Sequence, residues 1–146
     1  MNKAVIEFSS RAENVAFARV TVAAFVSQID FTMPDLEEIK VAVSEAVSNA
    51  IIHGYANNPD RMVRLELTIA DEYMEVVVAD SGKGIEDIAK ALEPAYSTHP
   101  ERMGLGFSFM RSFMDKLNVQ SEPGQGTRVI MSRRAGSPRR AAVTEQ

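Results

Sequence analysis

The sequence predicts an α/β sandwich, with helices on one face of a mixed, mostly antiparallel sheet, and three observations carry that expectation. Apolar residues recur at helical spacing in some stretches and alternate in other, shorter ones. The two patterns follow the order βααββ, an irregular segment, then αββ. At 146 residues with an ordinary apolar fraction, the chain has room for a single core.

Residues 3–8 alternate as a short strand. Ser10-Arg11-Ala12-Glu13 reads as a capping box that opens a helix whose apolar face runs through Val15, Ala18, Val22, Phe25, Val26 and Ile29. A second helix begins at Thr32-Met33-Pro34-Asp35. Thr32 can cap it, Pro34 tolerates an early helical position, and Asp35 favours the positive end of the dipole. It extends to about His53, where Gly54 is a natural stop. The polar Asn57-Asn58-Pro59-Asp60 connection leads to strands over 62–69 and 73–79, joined by a hairpin turn at Ala70-Asp71-Glu72. Residues 85–102 have weak periodicity, reading as a short helix followed by a mobile flap. Helical spacing resumes over 105–117, and residues 118–121 and 127–132 form a final hairpin around Pro123-Gly124-Gln125-Gly126. The folded domain is expected over residues 1–132, with 133–146 a disordered basic tail.

Composition narrows the function classes. The chain has no cysteine, which excludes disulfides and thiolate metal sites and permits a cytosolic address. Its first residues turn polar too soon for a signal peptide, and no apolar run reaches membrane-spanning length. The formal net charge is −4, with a local +3 from Arg133 onward that leaves about −7 on the rest. Such a body argues against broad nucleic-acid binding.

The chemistry lies in four blocks. In Glu45-Ala46-Val47-Ser48-Asn49 a carboxylate and a carboxamide share one helix face. Asn49 offers a neutral oxygen suited to Mg²⁺, which keeps waters and takes phosphate oxygens. Glu45 would lie near a terminal phosphate, placed to deprotonate an attacking hydroxyl. His53, another turn on, is read as structural, stabilising the helix C-terminus. In Asp80-Ser81-Gly82-Lys83-Gly84 the carboxylate can accept an adenine amino proton, while Gly82 and Gly84 let a flat base approach the backbone. Gly104-Leu105-Gly106 precedes a helix, so its free amides form a phosphate site that a flap could close over. In Gly124-Gln125-Gly126-Thr127, the Thr127 hydroxyl can reach a ring nitrogen or a water shared with Asp80. Lys83 and Arg102 could touch phosphates, but exposed loop cations usually do nothing so specific. Together the blocks predict a site for ATP and Mg²⁺.

These blocks, in this order, resemble the Bergerat-fold (GHKL) ATPases, the superfamily of gyrase, heat-shock chaperones, sensor histidine kinases and MutL, over nearly the whole chain. Within it, Glu-Ala-Val-Ser-Asn-Ala-Ile-Ile-His-Gly-Tyr at 45–55, Phe17-Ala18-Arg19-Val20-Thr21-Val22 and the segment 107–114 look like the small anti-sigma serine kinases of endospore formers. The resemblance implies a cytoplasmic homodimer that holds the sporulation sigma factor F inactive and uses ATP to phosphorylate a serine of an anti-anti-sigma antagonist. It makes Glu45 the base, Asn49 the magnesium ligand and Asp80 the adenine contact. Gly82 and Gly84 would line the base, Gly104, Leu105 and Gly106 the phosphates, and Thr127 would assist Asp80. The first helix and neighbouring strand are implied as a dimer face, and Arg19 as a partner contact. The flap at 97–103 is a little shorter than the family's usual version, and Leu105 stands where methionine is common. Two other readings use the same motifs: a sensor histidine kinase catalytic domain, and a nucleotide-gated binding module with negligible turnover.

Overall fold

The computed structural model describes residues 1–92 and 107–136. The flap at 97–103, with Arg102, and the whole of Gly104-Leu105-Gly106 lie outside them. Five strands form one sheet: β1 (Asn2–Ser9), β2 (Met62–Ala70), β3 (Tyr73–Asp80), β4 (Lys116–Glu122) and β5 (Gly126–Arg134). Their order is β1-β2-β3-β5-β4, and every pairing is antiparallel, where the sequence reading allowed a mixed sheet. The helices are α1 (Asn14–Val26), α2 (Met33–Asn49), α3 (Ile88–Ala91) and α4 (Phe107–Phe113).

Alternation along the strands decides the layers. Val63, Leu65, Leu67 and Ile69 of β2 point one way, level with Met74, Val76 and Val78 of β3 and with Val129 and Met131 of β5, and all are buried. Ala18, Val22 and Val26 of α1 and Ile39, Val43, Ala46 and Val47 of α2 meet them in one core. α2 lies between α1 and α4. Burying each such Val, Leu, Ile or Met side chain contributes about 1.5–3 kcal/mol. The opposite sheet face carries charge: Arg64 bonds Glu7 at 3.0 Å and Glu66 at 2.9 Å, and Arg128 reaches Glu66 at 3.4 Å. These exposed pairs add little stability, but they suit only one strand register.

Local chemistry sets the element boundaries. The capping box at Thr32 forms as expected, with Asp35 N donating to Thr32 Oγ1 at 3.1 Å and Thr32 N to Asp35 Oδ2 at 3.0 Å. At Ser10 no cap forms. Its hydroxyl lies 2.7 Å from the Asn58 carbonyl and accepts from Arg61 N at 3.1 Å, and α1 starts later, at Asn14. α1 also stops at Val26, leaving Ile29 buried in the turn that follows. α2 passes into a π-helical turn, Ala50–Gly54. Gly54 is not its left-handed stop: Ala56 (φ 51°) and Asn57 (φ 63°) take that conformation, and Asn57 N closes on the Ile51 carbonyl at 2.8 Å. α4 ends at Phe113, four residues before the expected boundary, because Leu117 already belongs to β4.

The largest correction concerns the end of the domain. Residues 133 and 134 were assigned to the tail, yet they complete β5, and Arg133 is only 2% exposed. Its guanidinium bonds Asp35 Oδ1 at 2.6 Å, Glu38 Oε1 at 2.9 Å and the Phe113 carbonyl at 2.8 Å. One arginine thus ties the last strand to the first turns of α2 and to the end of α4.

Arg133→Ala should lower the unfolding free energy by about 3 kcal/mol, the low end for a broken buried pair because both carboxylates keep some water. Urea denaturation would measure it. A loss within experimental error would remove Arg133 from the framework, whereas Arg133→Met should cost clearly less than Ala.

Candidate functional site

α2 carries Glu45 and Asn49 as the sequence predicts, about 6 Å apart along the axis. Both are partly buried. Val41 and Ile52, on the same side of the helix, remain exposed at either end. Arg19 is half-buried and donates from Nε to Ser44 Oγ at 2.9 Å, which joins α1 to α2 one residue before Glu45.

The π-helical turn carries α2 onto the end of β3. The Gly54 carbonyl accepts from Lys83 N at 3.0 Å. Three backbones converge here, and the glycines record how closely. A Cβ on Gly54 would lie 2.9 Å from the Asp80 carboxylate, one on Gly82 2.0 Å from the Gly54 carbonyl oxygen, and one on Gly126 2.0 Å from the Asp80 carbonyl oxygen. Gly84 is equally confined, 2.2 Å from the Glu122 carbonyl oxygen with φ +78°. The sequence reading gave Gly82 and Gly84 to an approaching base; their missing side chains first admit the protein's own backbone.

Asp80 sits at the centre of this knot. Its Oδ1 accepts from Gly82 N at 2.8 Å. Burial pushes its carboxyl above the ordinary value, against the pull of the Gly82 and Thr127 amides and of Arg61. Across the ladder Asp80 faces Thr127, and Thr127 faces Ser121. Thr127 Oγ1 lies 2.8 Å from Ser121 Oγ, and Ser121 also receives Ile85 N at 2.8 Å and can give its proton to the Gly126 carbonyl at 2.9 Å. Either hydroxyl of the Ser121–Thr127 pair can be the donor. Ser121 was missed, because a serine in an alternating strand carries no signal of its own. A cleft of about 550 Å³ opens beside this strand end, lined by Asp80, Ile88, Ser121, Gln125 and Thr127 among others; it does not reach Glu45 or Asn49.

His53 lies in the last turn of the π-helical segment as expected. Burial first, and the Lys83 ammonium second, lower its pKa, which weakens its action as a cation on the helix dipole. Lys83 itself is exposed on the loop. Among the described residues no group of three or more His, Cys, Asp or Glu is placed to hold a metal ion, and no helix is long and apolar enough to cross a membrane.

Comparison with known proteins extends the picture. Residues 8–133 match the family described as Histidine kinase-like ATPase domain. The chain is 50% identical over 135 residues to the Anti-sigma F factor of Clostridium beijerinckii, covering 91% of this chain and 94% of that one. It is 50% identical over 134 residues to the Anti-sigma F factor of Geobacillus kaustophilus, covering 90% and 92%. Its backbone is similar to the RsbU and RsbW domains of a Mycobacterium tuberculosis protein, with a TM-score of 0.61 at 19% identity, over 92% of this chain and 33% of the other. At that identity the likeness supports the fold alone.

Two outcomes check this geometry. Gly126→Ala should cost well over the roughly 1–2 kcal/mol of a left-handed alanine, because its Cβ meets backbone, whereas Gly124→Ala, with nothing within 4 Å, should cost only about that strain. Equal losses in urea titrations would refute the close approach. In the nucleotide-free protein, Asp80→Asn should raise stability at pH 7. The folded pKa of Asp80 lies above the unfolded one, so its carboxyl favours folding at low pH and loses that contribution as pH rises through the folded value. The advantage of Asn should therefore fade below about pH 4 in thermal melts, and a constant gap would contradict the burial cause.

Proposed function

The chain belongs to the histidine kinase-like ATPase family, among the anti-sigma F factors, and from that premise we propose that it is an anti-sigma factor and an ATP-dependent protein-serine kinase. It would hold the sporulation sigma factor F inactive and phosphorylate a serine of an anti-anti-sigma protein. The carrying observation is that half its residues are shared with anti-sigma F factors over nine-tenths of its length, and that the shared fold sets the Glu45 helix against the Asp80 knot. That whole-chain likeness favours this reading over a sensor histidine kinase domain or a binding module without turnover.

In this reading ATP is the phosphoryl donor. Asp80 accepts the adenine amino proton, Thr127 holds a water beside it, and the backbone at Gly82 and Gly84 borders the base. Gly104, Leu105 and Gly106 would present amides to the phosphates. Asn49 fits Mg²⁺ by the chemistry of its hard carboxamide oxygen, a donor this cation takes alongside phosphate and water; when bound, Mg²⁺ would neutralise phosphate charge. Glu45 takes the proton of the seryl hydroxyl as its oxygen bonds to the terminal phosphorus and ADP departs with the bridging electrons. The substrate hydroxyl must therefore reach the partly exposed α2 face between Val41 and Ile52. Among the described residues β1 is an edge strand, and exposed Phe17 of α1 packs edge-on against Phe8 of β1, which suits the first helix and this strand to the homodimer contact, and Arg19 to a partner contact. A cytoplasmic site of action accords with both partners.

Incubating the purified chain with Mg-ATP and an anti-anti-sigma protein should yield phosphoserine by mass spectrometry; adenosine-nucleotide binding without transfer would instead support the binding-module reading. Glu45→Ala should keep nucleotide affinity and lose about 10²–10⁴ of the transfer rate. Parallel loss of affinity and rate would remove the assigned role.

A further inference from the structure

Tyr55 follows the π-helical turn, and its ring is buried at 6% exposure. Its hydroxyl is fully used: it donates to the Met62 carbonyl at 2.6 Å and accepts from Ser81 N at 2.7 Å. Those partners begin β2 and follow Asp80 directly. Arg61 lies over the same ring, 4.7 Å from its centroid, and donates to the Ser81 carbonyl at 3.1 Å. Both backbone polar groups of Ser81 are thereby held from the 55–62 connection, while Gly82 N is held by Asp80 itself. The turn that aims the Asp80 carboxylate is fixed from both sides.

We infer that Tyr55, with Arg61 stacked on it, is a positioning residue for the nucleotide pocket: its hydroxyl clamps the Asp80-Ser81-Gly82 turn to the end of the helix that bears Glu45 and Asn49. The inference rests on the ATP reading above, and it gives Tyr55 a role that reading does not assign. A hydrogen bond to a base amino group is directional, so the Asp80 carboxylate needs a fixed orientation to accept one. The phenol supplies it without entering the pocket. The clamp also explains why the ring is a tyrosine: phenylalanine would fill the same volume and leave the Ser81 amide and Met62 carbonyl without this partner.

Tyr55→Phe tests it. The expected result is roughly tenfold weaker ADP binding by calorimetry, the worth of one or two net hydrogen bonds, with kcat for serine transfer at saturating ATP within about twofold of the parent. Loss expressed in KM and not in kcat is the signature of positioning, because Glu45 is untouched. Unchanged ADP affinity overturns the inference, as does a fall in kcat matching the fall in affinity. Should Tyr55→Phe fail to give a cooperative thermal transition, Arg61→Ala, at the exposed end of the clamp, is held to the same two criteria. Absence of ADP binding by the parent chain would strike the ATP reading instead, so the two failures are distinct.

Discussion

The structure depends on a close approach of three backbone segments around one carboxylate. Gly54 at the end of the π-helical turn, Gly82 after β3 and Gly126 at the start of β5 each lack a side chain where one would collide with a neighbour. A methyl group on any of the three would meet either Asp80 or the Gly54 backbone at 2.9 Å or less. The knot joins the helical layer to the sheet at the point where both chemical blocks end. Burial of the Asp80 carboxylate is the cost of that arrangement, and a base amino group that hydrogen-bonds it would offset part of the cost.

α2 is the second organising element. Its first turn is gripped by Arg133 from the last strand, its middle is bonded by Arg19 from α1, and its far end is drawn onto Asp80. A helix fixed at three points has little freedom to rotate, so the face bearing Glu45 and Asn49 keeps one direction. The π turn matters here because its wider winding resets the angular position of everything after Asn49. Gly54 and Tyr55 consequently face the Asp80 loop.

Much of this was legible in the sequence because it is local. Strand alternation, the Thr32 capping box, the i, i+4 spacing of Glu45 and Asn49, and the Asp80 turn all follow from near neighbours, and the structure has each of them. What escaped is set by contacts between distant residues. Ser10 and Thr32 both read as caps, but Ser10 finds Asn58 and Arg61 and spends its hydroxyl there. Gly54 looked like a helix stop and is small for the sake of Asp80, twenty-six positions on. Arg133 looked like the first residue of a solvated tail, since nothing in its surroundings along the chain announces Asp35 and Glu38. Ser121 and Tyr55 belong to the same class.

Strand order has a consequence for biosynthesis. β5 is the last strand along the chain, yet it sits between β3 and β4 and faces Asp80 with Thr127. Until residue 134 has left the ribosome, β3 is an open edge, α2 lacks its arginine anchor, and the cleft beside Asp80 lacks the wall that carries Thr127. The preceding strands and helices can therefore begin to assemble first, but the cleft beside Asp80 is complete only once β5 has paired.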